Sequence, residues 1–131
     1  MKISKPKKIK ITIIGRPASK KNSRRNFGHI SLPSKAYERF HEDALWQLKK
    51  VKERFTGSIE VNYLFKQKGN MSQDVDNAMA SINDVLQDAG IIDDDKNIIS
   101  GTFVKVNYIP VWETLVEIKS LEDLTNTEGQ W

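Results

Sequence analysis

Acidic residues are concentrated in the middle of the chain, in a pattern that could bind a metal ion. Residues 74–95 contain seven aspartates and no Lys or Arg, although the chain carries a formal net charge of +4. These are Asp74, Asp76, Asp84, Asp88, Asp93, Asp94 and Asp95. Because Mg²⁺ and Mn²⁺ prefer carboxylate and water oxygens, a divalent cation would offset the repulsion among such side chains.

The two ends of this segment matter most. Asp74 and Asp76 precede a predicted helix, where extended backbone would point both side chains to the same side. Residues 93–95 follow Gly90, which is suited to end that helix. A simpler interpretation exists for each end, since an aspartate before a helix usually caps it and three aspartates after it can form a solvated loop. Spacing alone leaves both interpretations open.

Positive charge is concentrated in the first third of the chain. Residues 1–37 contain eleven Lys or Arg residues and no acidic residue. Lys and Arg that displace counterions from phosphates supply most non-specific affinity for nucleic acids. The charge segregation therefore favours nucleic-acid binding, although a solvated basic surface would give the same composition.

Length and composition predict one cytoplasmic domain. The chain has 131 residues, of which 38% are hydrophobic, which is enough for a core without disulfides or structural metals. It contains no cysteine, which excludes disulfides and thiolate zinc sites. No apolar run approaches the roughly 20 residues of a membrane span, and no signal peptide is recognisable. We expect one domain over residues 1–131, with peripheral tails at 1–8 and 120–131, and no membrane contact.

Hydrophobic periodicity predicts an α+β fold, a single two-layer domain of order β-α-β-α-β-β with a mixed sheet and two helices. Alternating apolar residues indicate strands near residues 9–13 and 59–65, separated by a basic loop and a first helix over residues 34–57. A second helix follows Asp76. The last two alternating runs, on either side of Pro110, predict a closing hairpin.

Two familiar motifs are excluded. Residues 93–104 begin like a calcium-binding loop, but Ile98 replaces its glycine and Val104 replaces its final glutamate. Residues 15–21 lack the second glycine of a Walker loop, so no nucleotide cofactor is expected.

Four segments together resemble the RusA-type Holliday-junction resolvases of bacteria and their phages. They are GRPASKKN at 15–22, SKAY at 34–37, DVDN at 74–77 and AGIIDDD at 89–95. The Asp-x-Asp-Asn box and the Ala-Gly followed by acidic residues are the most specific parts. The likeness extends over residues 9–118 and includes the order of the segments.

The resemblance implies a homodimeric endonuclease, dependent on Mg²⁺ or Mn²⁺, that cuts two strands of a four-way DNA junction symmetrically during recombination and repair. It implies catalytic and metal-binding roles for Asp74, Asp76 and Asp95, with Asp94 beside the third acid. It also implies a bacterial or phage-infected bacterial cell. The DNA contacts that it implies are Lys20, Lys21, Asn22, Arg24, Lys66 and Lys68.

The chain departs from the family pattern at Ala80, where a lysine is usual. The metal ligands would remain, but a cation beside the phosphate would be missing unless Lys96 or a loop lysine replaced it. Two alternatives to a junction resolvase therefore stay open. One is a nuclease acting on flaps or forks, and the other is a junction-binding protein with impaired catalysis.

Overall fold

The structure is a computed structural model that describes residues 7–18, 24–27, 30–69 and 73–121. Its strands are β1 (Lys8–Ile14), β2 (Arg24–Phe27), β3 (Ile30–Pro33), β4 (Ile59–Lys68), β5 (Ile98–Ser100), β6 (Phe103–Ile109) and β7 (Glu113–Ser120). Its helices are α1 (Lys35–Gln47) and α2 (Val75–Asp88).

β4 is the central strand of a mixed five-stranded sheet. It pairs antiparallel with β7, which in turn pairs antiparallel with β1. Along its other side it pairs parallel with β5 and then with β6. Because parallel neighbours need a crossover, α2 lies between β4 and β5 in the chain. The α+β class, the mixed sheet and the two helices are confirmed.

The hydrophobic core lies between the sheet and the two helices. Alternate β4 residues are buried from Ile59 to Gln67, while the residues between them are partly exposed. α1 contributes Phe40 and α2 contributes Ile82 to the same core. Packing of α2 against β4 in this core holds the start of α2 in place, and that start carries the first two aspartates.

The first helix begins as predicted but ends earlier. The Ser34 hydroxyl accepts the Tyr37 N–H at 3.1 Å, which is an N-cap contact. The predicted extent to residue 57 is wrong, because α1 ends at Gln47 and the chain is extended again at Val51. Phe55 keeps its buried position in a parallel bridge with Ile92. Phe55 is therefore buried, as its spacing from the apolar residues of α1 predicts, but it is buried outside the helix.

Two other predictions are corrected. The basic segment is not entirely a loop, because the backbones of β2 and β3 pair antiparallel within it. The predicted closing hairpin is wrong, because β6 and β7 lie on opposite sides of β4. Gly101 makes this possible: it has φ 151°, and a Cβ there would collide with the Val61 carbonyl oxygen. Only glycine lets the chain pass so close to β4 between β5 and β6.

Candidate active site at the start of α2

Asp74 precedes α2, but Asp76 lies inside its first turn, so the extended backbone expected for both residues is wrong. Asp74 occupies the N-cap position, and its carbonyl oxygen accepts the Ala78 N–H at 3.1 Å. Its carboxylate accepts no capping hydrogen bond within the described residues. Both aspartates lie at the helix end where the dipole favours negative charge. Asp74 therefore occupies the cap position, but its side chain makes no capping bond to the described residues.

Gln73 connects this point to two distant parts of the chain. Its side-chain amide donates to the Pro17 carbonyl oxygen at 2.6 Å, so the loop after β1 contacts the start of α2. Its own carbonyl oxygen accepts a hydrogen bond from Lys105 Nζ at 3.1 Å. Lys105 therefore brings a positive charge from β6 to the residue before Asp74. Neither contact could be foreseen from the sequence, because both depend on tertiary packing.

The second acidic group forms a 3-10 turn, Asp95–Asn97, after the end of α2. Asp94 caps this turn by accepting the Lys96 N–H at 2.8 Å. That hydrogen bond lowers the pKa of Asp94, with smaller contributions from the Asp95 carboxyl group and the Lys96 charge. The Asp95 N–H donates to Gln87 Oε1 at 3.1 Å. The turn is thus attached to the last turn of α2 through Gln87.

Tyr63 connects β4 to α2 and to Asp95. Its hydroxyl donates to Asn83 Oδ1 at 2.7 Å. Burial raises the pKa of Tyr63 to about 12, and the negative charge of Asp95 adds to the rise. The negative charge of Asp95 therefore disfavours ionisation of the Tyr63 hydroxyl.

One face of α2 runs between the two acidic groups. Asp76, Ala80, Asn83 and Gln87 recur at helical spacing, so they share that face. Asn83 is seven residues beyond Asp76. At about 1.5 Å per residue, this corresponds to roughly 10 Å along the axis.

The three predicted ligands are not gathered into one cluster. In the described part of the chain, no group of three or more Asp, Glu or His side chains is arranged to hold a metal ion. Asp74 and Asp76 lie at the start of α2, whereas the Asp95 backbone is hydrogen-bonded to Gln87 in the last turn of the helix. The available donors are carboxylate oxygens, which suit Mg²⁺ or Mn²⁺. The three-aspartate metal site stays a prediction.

Asp84 and Asp88 of α2 both act on residues of α1, although Asp88 itself is exposed. Asp88 Oδ2 lies 2.7 Å from His41 Nε2, and the His41 ring stacks on Tyr37 with 5.1 Å between centroids. Burial raises the pKa of Tyr37, and the charges of Asp84 and Asp88 add to the rise. These two acids therefore serve helix packing and lie outside the candidate site.

The predicted DNA contacts are only partly described. Lys20, Lys21 and Asn22 lie outside the described residues, and Arg24 is described only through its backbone in β2. Lys66 Nζ lies 3.4 Å from Glu113 Oε1 on the neighbouring strand, and Lys68 is exposed at the end of β4.

A groove beside Gln73 adds two cations that the sequence did not single out. It encloses about 720 Å³ between the loop after β1 and α1, and Arg16, Arg39 and Phe40 line it. The Arg16 guanidinium lies 4.9 Å from the centroid of the Trp112 ring, which holds it by a cation–π contact. Two arginines and one carboxylate, Asp43, therefore line a groove that reaches Gln73.

The model of the endodeoxyribonuclease RusA family matches residues 14–119 of the chain. The chain belongs to this family. The RusA match extends from the last residue of β1 to β7, and so includes the loop after β1 and both acidic groups. No curated protein matches the chain. Neither α1 nor α2, the helices of the described residues, is long and apolar enough to cross a membrane.

Proposed function

We propose that this RusA-family protein is a Mg²⁺- or Mn²⁺-dependent endonuclease that resolves four-way DNA junctions by paired, symmetric hydrolysis during recombination and repair. The observation that carries the proposal is the family match across residues 14–119, which includes Asp74, Asp76 and Asp95. The uncapped carboxylate of Asp74 at the start of α2 supports it. A homodimer suits this substrate, because a two-fold axis presents two equivalent sites to two strands.

Each part of the site has a proposed role. Asp74, Asp76 and Asp95 would hold the cation, which requires the 3-10 turn carrying Asp95 to approach the start of α2. A cation held there supplies Lewis-acid chemistry for phosphodiester hydrolysis. Gln87 would position Asp95 through its backbone, and Asp94 caps the turn that carries it, while Lys105 would supply a positive charge beside Gln73.

The basic residues would bind the DNA backbone without reading bases. Lys20, Lys21, Asn22, Arg24 and Lys68 are proposed contacts from the family resemblance. Arg16 and Arg39 join them because they line the groove that leads to Gln73. Lys66 already has a carboxylate partner in Glu113, so its contribution to DNA binding should be smaller.

The decisive experiment uses an immobile four-way junction with Mg²⁺, Mn²⁺ or EDTA. Wild type should cut two opposed strands only with metal. Asp76→Asn should bind the junction but lose cleavage by more than the roughly 10–100-fold that removal of an outer-shell partner costs a metal site. Asp93→Asn is the matched control, since it removes an exposed carboxylate of the same segment, and it should cut normally. Wild-type cutting by Asp76→Asn would remove Asp76 from the catalytic set.

Two observations favour a second candidate function, a junction-binding protein with impaired catalysis. Ala80 occupies the place of the usual lysine, and the three aspartates are not gathered in the described chain. Bound but uncut junction in both metals would support this function. A panel of flaps, forks and junctions separates the remaining alternative, because a flap or fork nuclease would cut those substrates faster.

A further inference from the structure

Three side-chain amide oxygens are buried without a hydrogen-bond donor in the part of the chain that the structure describes. They are Oε1 of Gln67, Oε1 of Gln73 and Oδ1 of Asn107. Gln67 is the most deeply buried of these residues, with 1% of its surface exposed near the end of β4. Because buried polar atoms in folded proteins are paired in the large majority of cases, these oxygens need a partner that the described residues do not supply.

Gln67 and Asn107 lie side by side on neighbouring strands. β6 runs parallel to β4, and their register shifts so that Gln67 stands opposite both Asn107 and Tyr108. Asn107 shares a face of β6 with Lys105, because residues two apart in a strand point to the same side. Lys105 Nζ reaches the Gln73 carbonyl oxygen, just before α2, so this face is the one towards the helices. The three amide groups therefore lie at the same end of the core.

Gln67 also lies level with Asp74 at the start of α2. Tyr63, on the same face of β4 as Gln67, donates to Asn83 Oδ1 in α2. Gln67 is four residues further along β4, which corresponds to roughly 13 Å at about 3.3 Å per residue. Because β5 is parallel to β4, α2 runs back along them. At about 1.5 Å per residue, the same distance leads back roughly nine residues from Asn83, to Asp74 and its uncapped carboxylate.

We propose that Gln67, Gln73 and Asn107 are positioning residues for a hydrated divalent cation at Asp74, and that their amide oxygens accept hydrogen bonds from its water ligands. Mg²⁺ usually keeps several waters beside one or two carboxylates, and those waters need acceptors. All three unpaired atoms are acceptors. Asp74 is exposed whereas Gln67 is buried, so a layer of water between them fits better than direct coordination by Gln67.

The lysine beside this group does not fill the same role. Lys105 Nζ donates to the main-chain oxygen of Gln73 and to none of the three amide oxygens. A buried water without a cation is the competing explanation, because such waters bridge unpaired polar groups in many proteins. The inference takes the cation from the proposed function and adds the residues that hold its waters. The two explanations differ in whether Gln67 affects cation affinity.

Titration of the protein with Mn²⁺, followed by electron paramagnetic resonance of the free ion, measures this affinity without DNA. Gln67→Met removes the oxygen but keeps an unbranched side chain of similar size. It should raise the Kd for Mn²⁺ by roughly 10–100-fold, the usual cost of losing an outer-shell partner. Equal Kd values in wild type and Gln67→Met would overturn the proposal in favour of a buried water alone.

Two further variants make this test specific. Ser81→Ala is the matched control, because Ser81 Oγ is also buried and unpaired among the described residues. Ser81 lies roughly 10 Å along α2 from Asp74, so this variant should leave the Kd unchanged. Asp74→Asn should raise the Kd at least as much as Gln67→Met does. A Kd that Asp74→Asn leaves unchanged, or that Ser81→Ala raises equally, would overturn the proposal.

Thermal unfolding with and without Mn²⁺ separates this role from a purely structural one. Without metal, Gln67→Met should be at least as stable as wild type, because an apolar group replaces an unpaired buried oxygen. With Mn²⁺, wild type should show the larger rise in Tm, since a ligand stabilises the fold according to its concentration relative to Kd. Equal rises would overturn the proposal. If Gln67→Met does not fold, Asn107→Leu takes its place: a rise in Kd of about tenfold supports the proposal, and an unchanged Kd overturns it.

Junction cleavage is measured separately, so that the two proposals can fail independently. If the protein cuts junctions but Gln67→Met binds Mn²⁺ as tightly as wild type does, the positioning role alone is overturned. If Mn²⁺ affinity depends on Asp74 and Gln67 but no branched DNA is cut, the proposed function alone is overturned.

Discussion

At the scale of residues, Tyr63 connects the core to the candidate site. It comes from the central strand, donates to Asn83 on the face of α2 that carries Asp76, and interacts with the charge of Asp95. Two residues of α2 connect it to the neighbouring elements: Asn83 accepts the Tyr63 hydroxyl, and Gln87 accepts the Asp95 N–H. A change at Tyr63 should therefore register both in stability and in the placement of Asp95.

Tyr63→Phe should reveal a pH-dependent part of the stability. Because the folded pKa is raised to about 12 from an unfolded value near 10, the folded state retains the hydroxyl proton after the unfolded state has lost it. The contribution of Tyr63 to the free energy of unfolding is therefore fully present below about pH 10. It falls as the pH rises towards 12, by on the order of 2 kcal/mol. At neutral pH the variant should be less stable than wild type by about 1 kcal/mol, because the Asn83 hydrogen bond is removed.

Urea unfolding between neutral pH and about pH 11.5, just below the folded pKa, measures this effect. The difference between wild type and Tyr63→Phe should shrink and then reverse as pH rises. Tyr108→Phe, at an exposed tyrosine, should follow wild type. If the difference in free energy of unfolding between wild type and Tyr63→Phe does not change with pH, Tyr63 titrates in the folded protein as it does in the unfolded chain.

At the scale of elements, the path of β6 depends on one glycine. Gly101 takes φ 151° against the backbone of Val61, and this lets β5 and β6 follow one another along β4. The next residue, Thr102, then accepts the Tyr63 N–H through its carbonyl oxygen. Its N–H and its hydroxyl both donate to Asn62 Oδ1 at 2.9 Å. The glycine thus places the strand that carries Lys105.

Gly101→Ala should destabilise the fold by on the order of 2–3 kcal/mol, because it adds a backbone collision to an unfavourable φ. Gly57→Ala is the matched control: Gly57 also has a positive φ, 75°, but nothing lies within 4 Å of its Cβ position. That variant should cost about 1 kcal/mol. Denaturant unfolding compares the two, and equal destabilisation would mean that the contact with Val61 can relax.

Local patterns predicted the elements but not their pairing. Alternation identified β1 and β4, while Ser34 and Gly90 marked the start of α1 and the end of α2. The pairing of β6 was missed because its apolar alternation would suit a hairpin equally well. Its true neighbour is set by the α2 crossover and by Gly101. For the candidate site, the aspartates stay a prediction from the sequence, whereas the contacts of Gln73 with Lys105 and of Tyr63 with Asn83 depend on long-range packing.

At the scale of the whole molecule, the segregated charges of the sequence meet at one place. The basic loop after β1 contacts Gln73 through Pro17, and Arg16 and Arg39 line the groove beside it. The aspartates of the candidate site begin at the next residue. The fold therefore brings positive charge that can bind phosphates next to negative charge that can bind a cation.

Salt dependence tests whether this groove binds DNA. Arg16→Gln with Arg39→Gln should weaken junction binding and reduce the slope of log affinity against log salt, by about 0.9 for each phosphate that the protein no longer neutralises on duplex DNA. Lys20→Ala with Lys21→Ala should do the same for the predicted loop. The matched control, Lys49→Gln with Lys50→Gln, removes the same charge from the 3-10 turn Leu48–Lys50, which does not line the groove. A slope that falls equally in the control would assign binding to net charge, and an unchanged slope in the arginine variant would exclude Arg16 and Arg39 as phosphate contacts.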